Sequence, residues 1–292
     1  VYFGKNEEKN VGKILKGYHP KKVLIHYGGN SAIKSGLLDR VKKALEEENI
    51  AYCLCGGVVA NPLLSKVNEG IELCKKEEVD FILAVGGGSV LDSSKGIAYG
   101  VYNEGNVWDY YARKKKVKGA LPMGCILTLS ATGSEMSNSS VITNEDGNLK
   151  RGLSSEFGYF KFSILNPELT YTVPQYQTMC GCTDIIMHTF ERYFTPYETL
   201  DLVDQMAESL VRTVIKNAKI LMENPTDEKA RAEIMWAGSV SHNDMTGDRS
   251  LGDWACHQLE HELSGMFNVA HGAGLAAIWD SWATHVYMEN PT

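Results

Sequence analysis

No run of ~18 apolar residues occurs anywhere in the 292-residue sequence, so there is no candidate for a membrane-spanning helix. The first residues do not read as a secretory signal either. Basic residues are not in excess: Lys plus Arg number 29 against 36 for Asp plus Glu, a formal net charge of -7. That excludes the profile of a nucleic-acid coat protein, which is basic. The C-x-x-C spacing of metal and redox motifs is missing. The nearest approaches are Cys53-x-Cys55 and Cys180-x-Cys182, and the total of seven cysteines is odd. Free thiols in a reducing, cytoplasmic setting follow from this better than a disulfide framework. Internal repeats, low-complexity segments, a P-loop and the G-x-G-x-x-G fingerprint are also absent.

What is present is ordinary globular composition, 43% hydrophobic and 22% charged, with a modest surplus of glycine at 28 residues. The average share of glycine is ~7%. The length suits about two domains of ~100–200 residues each. Val1 stands where a Met would begin a chain, and the sequence ends on Thr292 without a stopping signal. A piece of a longer protein is the expectation.

The first half alternates short apolar runs with polar helical stretches. Val23–Tyr27, Ala51–Cys55, Phe81–Val85 and Met123–Leu129 read as strands, and Lys34–Glu48 and Leu64–Glu78 as helices. In Lys34–Glu48, Leu37, Leu38, Val41 and Leu45 share one face. Such alternation predicts a parallel sheet with helices on both faces. From about Pro174 the strand pattern stops and amphipathic stretches take over, at Met179–Tyr193, Leu202–Glu223, Glu228–Asn243 and Asp253–Leu263. The expectation is an α/β domain over 1–172 and a helical domain over 173–292.

Two glycine turns follow strands and precede helices, where ligands of open parallel sheets bind. Gly86-Gly87-Gly88-Ser89 is the stronger, with Asp92 and Lys95 on the helix beyond it. Glycine lets a phosphate approach the backbone, and a helix N-terminus offers free N–H groups. The other is Gly28-Gly29-Asn30-Ser31. An NAD site usually carries a carboxylate at a strand end for the ribose 2′-hydroxyl. Here there is none, and Ser31 and Lys34 suit a 2′-phosphate, which favours NADP(H) over NAD(H). The hydroxyl-rich stretch from Thr128 to Glu135 suits phosphate or a nicotinamide pocket.

Asp184 and His188 are four residues apart in a helical stretch, and so are His257 and His261; that spacing puts each pair on one helix face. His271 follows a turn. Three imidazoles and one carboxylate suit Fe²⁺ or Zn²⁺. Spacing does not decide which of His257 and His261 would ligate. His19, His26, His242 and His285 read as ordinary residues.

Taken together, Gly86–Lys95, Leu127–Glu135, Phe162–Thr170, Asp184-x-x-x-His188, and His257–His261 running on to His271–Ala276 resemble the iron-containing (group III) alcohol dehydrogenases. The likeness is to the NADP(H)-dependent butanol dehydrogenase and aldehyde reductase branch. It spans most of the chain in family order. It implies a Rossmann-like domain followed by an all-α domain, as in dehydroquinate synthase. The implied metal ligands are Asp184, His188, His257 and His271, with His261 near the nicotinamide and substrate. Gly86, Gly87, Gly88, Ser89 and Asp92 would hold the pyrophosphate, and Thr128, Thr132, Ser137, Lys150 and Asn61 the rest of the cofactor. Gly28, Gly29, Asn30 and Ser31 match the branch that accepts a 2′-phosphate. The implied activity is an NAD(P)-dependent alcohol dehydrogenase, moving a hydride between NADP(H) and a short-chain alcohol or aldehyde such as butanol or butyraldehyde. One divalent metal, Fe²⁺ or Zn²⁺, and a homodimer are implied as well. The alternatives are a zinc-dependent polyol dehydrogenase, or a metal- and nucleotide-binding lyase or hydrolase of the same fold.

Overall fold

A computed structural model describes residues 1–195, 200–247 and 252–289. The chain end at Thr292, on which the expectation of a longer protein partly rests, lies outside these. In chain order the first elements are β1 (Tyr2–Phe3), α1 (Val11–Lys16), β2 (Lys22–Gly28), α2 (Ser31–Lys34), α3 (Leu37–Glu47), β3 (Ala51–Val58) and α4 (Leu64–Lys76). β4 (Phe81–Gly86), α5 (Gly88–Tyr102), α6 (Trp108–Tyr111), β5 (Met123–Leu127), β6 (Ser139–Asn144), β7 (Leu149–Ser154) and β8 (Phe162–Leu165) follow. Five helices complete the described chain: α7 (Gln175–Tyr193), α8 (Asp201–Glu223), α9 (Glu228–Ser241), α10 (Ala255–Phe267) and α11 (His271–Glu289). Among the described residues no helix is long and apolar enough to cross a membrane.

Residue contacts divide the chain into two compact units. One comprises Val1–Leu129, Ser134–Gly147 and Arg151–Thr170; the other comprises Ser130–Gly133, Asn148–Lys150 and Tyr171–Thr292. In the first unit six strands form a sheet in the order β1-β8-β5-β4-β2-β3, every pairing parallel. Side chains alternate across a strand, and the cores follow that rule. Val23, Ile25, Leu83 and Val85 point to the face covered by α1 and α3, with Val11, Leu37, Val41 and Leu45. Leu24 and Ile82 point to the face covered by α4 and α5, with Val67, Ile71, Ile97 and Tyr99. The sequence-predicted apolar face of Leu37, Leu38, Val41 and Leu45 is buried in full.

The connection from β2 runs outward to β3, whereas that from β4 runs the opposite way to β5 and then β8. The strand order therefore reverses between β2 and β4, the place where open parallel sheets bind ligands beyond their carboxyl ends. In the second unit α7, α8 and α9 pack through Ile185, Leu210, Val214, Leu221 and Ile234. Met187, Cys256 and Leu275 tie α7, α10 and α11 together.

Candidate metal and dinucleotide sites

In the first unit β2 ends at Gly28 and β4 at Gly86, and the two strands pair up to Tyr27 and Val85. β4 pairs with β5 up to Gly86 and Leu127, and the Thr128 N–H donates to the Gly86 carbonyl at 3.0 Å. The two glycine turns and Thr128 thus lie side by side at the carboxyl edge of the sheet. Gly29, Asn30 and Ser31 are exposed, and a Cβ on Gly29 would meet nothing within 4 Å. At the other turn no side chain caps the N-terminus of α5. Its first-turn N–H groups and the helix dipole make a ready cradle for a phosphate anion. These features fit a dinucleotide.

The remaining residues expected near the cofactor differ in their surroundings. Asn61 sits in the loop after β3 with φ of 53°. The Asp92 carboxylate is buried and accepts from Ser134 Oγ at 2.7 Å and from the Val141 N–H at 3.0 Å. Ser137 is buried, and its carbonyl accepts from Lys95 Nζ at 2.9 Å. Asp92, Lys95 and Ser137 therefore tie α5 to the loop after Gly133. Thr132 and Lys150 belong to the second unit, where Lys150 Nζ donates to Glu260 Oε2 at 3.0 Å and lies 3.4 Å from His271 Nδ1.

The second unit holds the histidine cluster. Asp184 and His188 lie on one face of α7, His257 and His261 on one face of α10, and His271 opens α11. Asp184 Oδ1 lies 3.6 Å from His188 Nδ1, 3.8 Å from His257 Nε2 and 3.5 Å from His271 Nε2. These distances exceed hydrogen-bond length. Asp184 Oδ1, His188 Nδ1 and His257 Nε2 are buried without any hydrogen-bond partner. Buried polar atoms are almost always satisfied, and three orphans converging on one point are what a cation's ligands look like without the cation. The set fits Fe²⁺ or Zn²⁺.

At His188 the electrostatics agree. Burial, followed by the His242 and His257 rings and Arg192, pushes His188 well below the ordinary imidazole range. A neutral ring keeps its lone pair for a metal. Burial also lowers His257, but Asp184 and Glu191 more than reverse this and leave it raised. His261 is buried, and desolvation followed by the Lys150 ammonium lowers it to about 2. Its ring stands 5.9 Å from that of His271. Glu260, His261 and His271 also approach one another closely. There the Glu260 carboxylate is already occupied by Lys150, Ser264 and His271.

The sequence passed over three residues here, Glu191, Glu260 and Arg192, and a fourth, His242, reads there as ordinary. Glu191 accepts from His257 Nδ1, and Glu260 from His271 Nδ1. The His242 ring packs 4.2 Å from that of His188. Arg192 donates to the His188 and Ser241 carbonyls, approaches His242 Nδ1 at 3.2 Å and lies over the Trp254 ring. The available signal was helical spacing: Asp184, His188 and Glu191 stand at i, i+4 and i+7, and His257, Glu260 and His261 at i, i+3 and i+4.

A family model described as "Iron-containing alcohol dehydrogenase" matches residues 1–167, and one described as "Fe-containing alcohol dehydrogenase family, C-terminal" matches residues 178–292. The NADH-dependent butanol dehydrogenase A of Clostridium acetobutylicum is 44% identical over 290 residues, covering 99% of this chain and 74% of that protein. The NADPH-dependent aldehyde reductase YqhD of Escherichia coli is 36% identical over 287 residues, covering 96% and 73%. The crystal structure of an NADH-dependent butanol dehydrogenase A from Thermotoga maritima superposes with a TM-score of 0.97 at 41% identity, covering 99% of this chain and 73% of that one.

Proposed function

Because the chain belongs to the iron-containing alcohol dehydrogenase family, we propose that it moves a hydride between a nicotinamide dinucleotide and a short-chain alcohol or aldehyde, with butanol and butyraldehyde the expected pair. In this reading a domain of residues 1–172 binds the dinucleotide, and a domain of residues 173–292 holds one divalent metal on Asp184, His188, His257 and His271. The observation that carries it is the trio of buried, unpartnered atoms on Asp184, His188 and His257.

When bound, the metal supplies a Lewis acid for the substrate oxygen and the dinucleotide supplies the hydride. The chain's own residues do the rest. The N–H groups of Gly88 and Ser89, at the uncapped start of α5, carry the pyrophosphate. Asp184 contributes the negative charge of the ligand set, and the imidazoles contribute neutral donors. The family resemblance puts His261 beside substrate and nicotinamide as the catalytic residue, relaying a proton with water or, alternatively, orienting a metal ligand; burial and the Lys150 ammonium favour its neutral ring.

The dinucleotide of this reading is NADP(H), with NAD(H) second. No carboxylate stands in the Gly28–Ser31 turn to repel a 2′-phosphate. The relatives named above are NADH-dependent at 44% identity and NADPH-dependent at 36%, so the two dinucleotides belong in one assay. Fe²⁺ and Zn²⁺ both suit the ligands. The seven free cysteines support a reducing, cytoplasmic setting, and a homodimer completes the proposal on the family resemblance. The test is butyraldehyde reduction followed at the reduced-nicotinamide absorbance, before and after a chelator. Activity is expected with metal and lost without it, returning on addition of Fe²⁺ or Zn²⁺. Undiminished reduction in the metal-depleted protein would sink the proposal.

A further inference from the structure

The helices of the second unit support one another's ligands in sequence. On α7, Glu191 lies on the same face as Asp184 and His188, but its carboxylate reaches across to α10. There Oε1 accepts from His257 Nδ1 at 2.9 Å and from the His257 backbone N–H at 3.0 Å. On α10, Glu260 repeats the arrangement one helix further on. Its Oε2 accepts from His271 Nδ1 on α11 and from Lys150 Nζ at 3.0 Å, and its Oε1 accepts from Ser264 Oγ. Both carboxylates are buried. With Nδ1 engaged as a donor, each ring is fixed in the tautomer whose Nε2 carries a free lone pair. Those two Nε2 atoms are the ones that face Asp184 Oδ1.

The charge count points the same way. Asp184, Glu191 and Glu260 bring three negative charges into a buried cluster, and Lys150 returns one. Arg192 is engaged by Asp244 at 3.2 Å. Once the imidazoles ligate they are neutral, and the cluster then offers a cation two negative charges in excess. Burying an unpaired carboxylate is strongly unfavourable, and a divalent cation closes the deficit.

We propose that Glu191 and Glu260 are the positioning residues of this centre: each orients the ligand imidazole of the next helix, and together they set its charge for a dication. The inference rests on the reading of Asp184, His188, His257 and His271 as the metal ligands. It goes beyond that reading by assigning two further residues and the source of selectivity for a 2+ ion.

The test uses the metal-depleted full chain, titrated with Co²⁺ by visible absorption and by competition with a chromophoric chelator. Wild type, E191Q and E260Q are compared, with the thermal midpoint of each metal-free protein. Each Glu→Gln change is expected to weaken Co²⁺ binding about 10–100-fold and to shift the Co²⁺ ligand-field bands. The metal-free midpoints serve as the folding control: E260Q leaves the buried Lys150 ammonium without its carboxylate and is expected to lower its midpoint, whereas the amide oxygen of E191Q still accepts from His257 and its midpoint is expected to stay near wild type. A merely structural carboxylate leaves affinity and spectrum unchanged whatever the midpoint does; that result overturns the inference. Glu260 also holds Lys150 and Ser264, so E191Q is the decisive variant if E260Q folds poorly. The charge-keeping E191D is expected to recover part of the affinity lost in E191Q, and no recovery counts against the charge argument. Failure of wild type itself to take up Co²⁺ overturns the metal reading, whereas tight wild-type binding matched by both Gln variants overturns only the assignment of Glu191 and Glu260.

Discussion

Lys95 is the most demanding single residue of the first unit. Its ammonium is fully buried and donates to the carbonyls of Ser134, Ser137 and Ser139 at 2.8, 2.9 and 2.7 Å. Burial pulls its pKa down to about 8, against the opposing pull of Asp92. The folded protein therefore binds fewer protons here than the unfolded chain between about pH 8 and the free lysine value of about 10.4. Where the unfolded state binds more protons, stability rises with pH. The buried cysteines act in the other direction above about pH 8.5, because their thiols are raised and the unfolded ones ionise first. A comparison with Lys95→Met removes that background. Between about pH 7.5 and about pH 9, wild type is expected to gain about 1 kcal/mol relative to the variant in denaturant unfolding; parallel pH curves would count against a depressed Lys95. The burial of Lys95 is not legible in the sequence, which shows only a lysine on the helix beyond the stronger glycine turn. Glu191 and Glu260 are hidden for the same reason. Glutamate at helical spacing ordinarily faces water, and only a packed neighbour converts it into a carboxylate aimed at a ring nitrogen.

Among the elements, those that read as a continuous apolar run or as a helical stretch of regular spacing were the readable ones. β4 starts at Phe81, α4 at Leu64 and α9 at Glu228, where the sequence puts them. The helix expected over Lys34–Glu48 starts instead at Leu37, as α3, because Gly36 just before it takes a left-handed φ of 68°; Lys34 closes the separate short helix α2. β3 runs past the expected Cys55 to Val58, carried through two glycines by its pairing with β2 and an irregularity between His26 and Gly28. α11 escaped notice altogether, since it carries apolar residues around most of its circumference and lacks the stripe that marks an amphipathic helix. Its start is nevertheless tightly specified. A Cβ on Gly272 would stand 2.0 Å from the Cys180 carbonyl oxygen of α7, so the helices meet backbone to backbone beside His271. Gly272→Ala must push α11 off α7. The expected result is a loss of about 1–3 kcal/mol in stability, together with less metal retained per chain by elemental analysis after gel filtration. Wild-type stability and metal content in the variant would show that the close approach is dispensable.

At the scale of the whole chain, each proposed ligand has most of its residues in one compact unit. The two glycine turns, the start of α5 and Thr128 belong to the first, and Asp184, His188, His257 and His271 to the second. The change of pattern near Pro174 was legible because parallel strands buried on both faces read as continuous apolar runs, which amphipathic helices do not. Less visible was that Ser130–Gly133 and Asn148–Lys150, inside the α/β half of the sequence, join the helical unit. Membership of that kind is decided by long-range contacts, for which local periodicity carries no signal. A ligand that binds only the folded form stabilises it by about 2.7 kcal/mol at a hundredfold excess over its Kd. Calorimetric scans with a chelator, with a divalent metal and with NADPH should separate the two contributions. Metal is expected to raise principally the transition of the helical unit, and NADPH principally that of the sheet unit. Lys150 and Thr132, which the family resemblance assigns to the cofactor, lie in the helical unit, so a smaller shift of its transition by NADPH is expected too. A single transition moved equally by either ligand would mean that the units unfold as one cooperative body, and the division into 1–172 and 173–292 would then have no thermodynamic meaning.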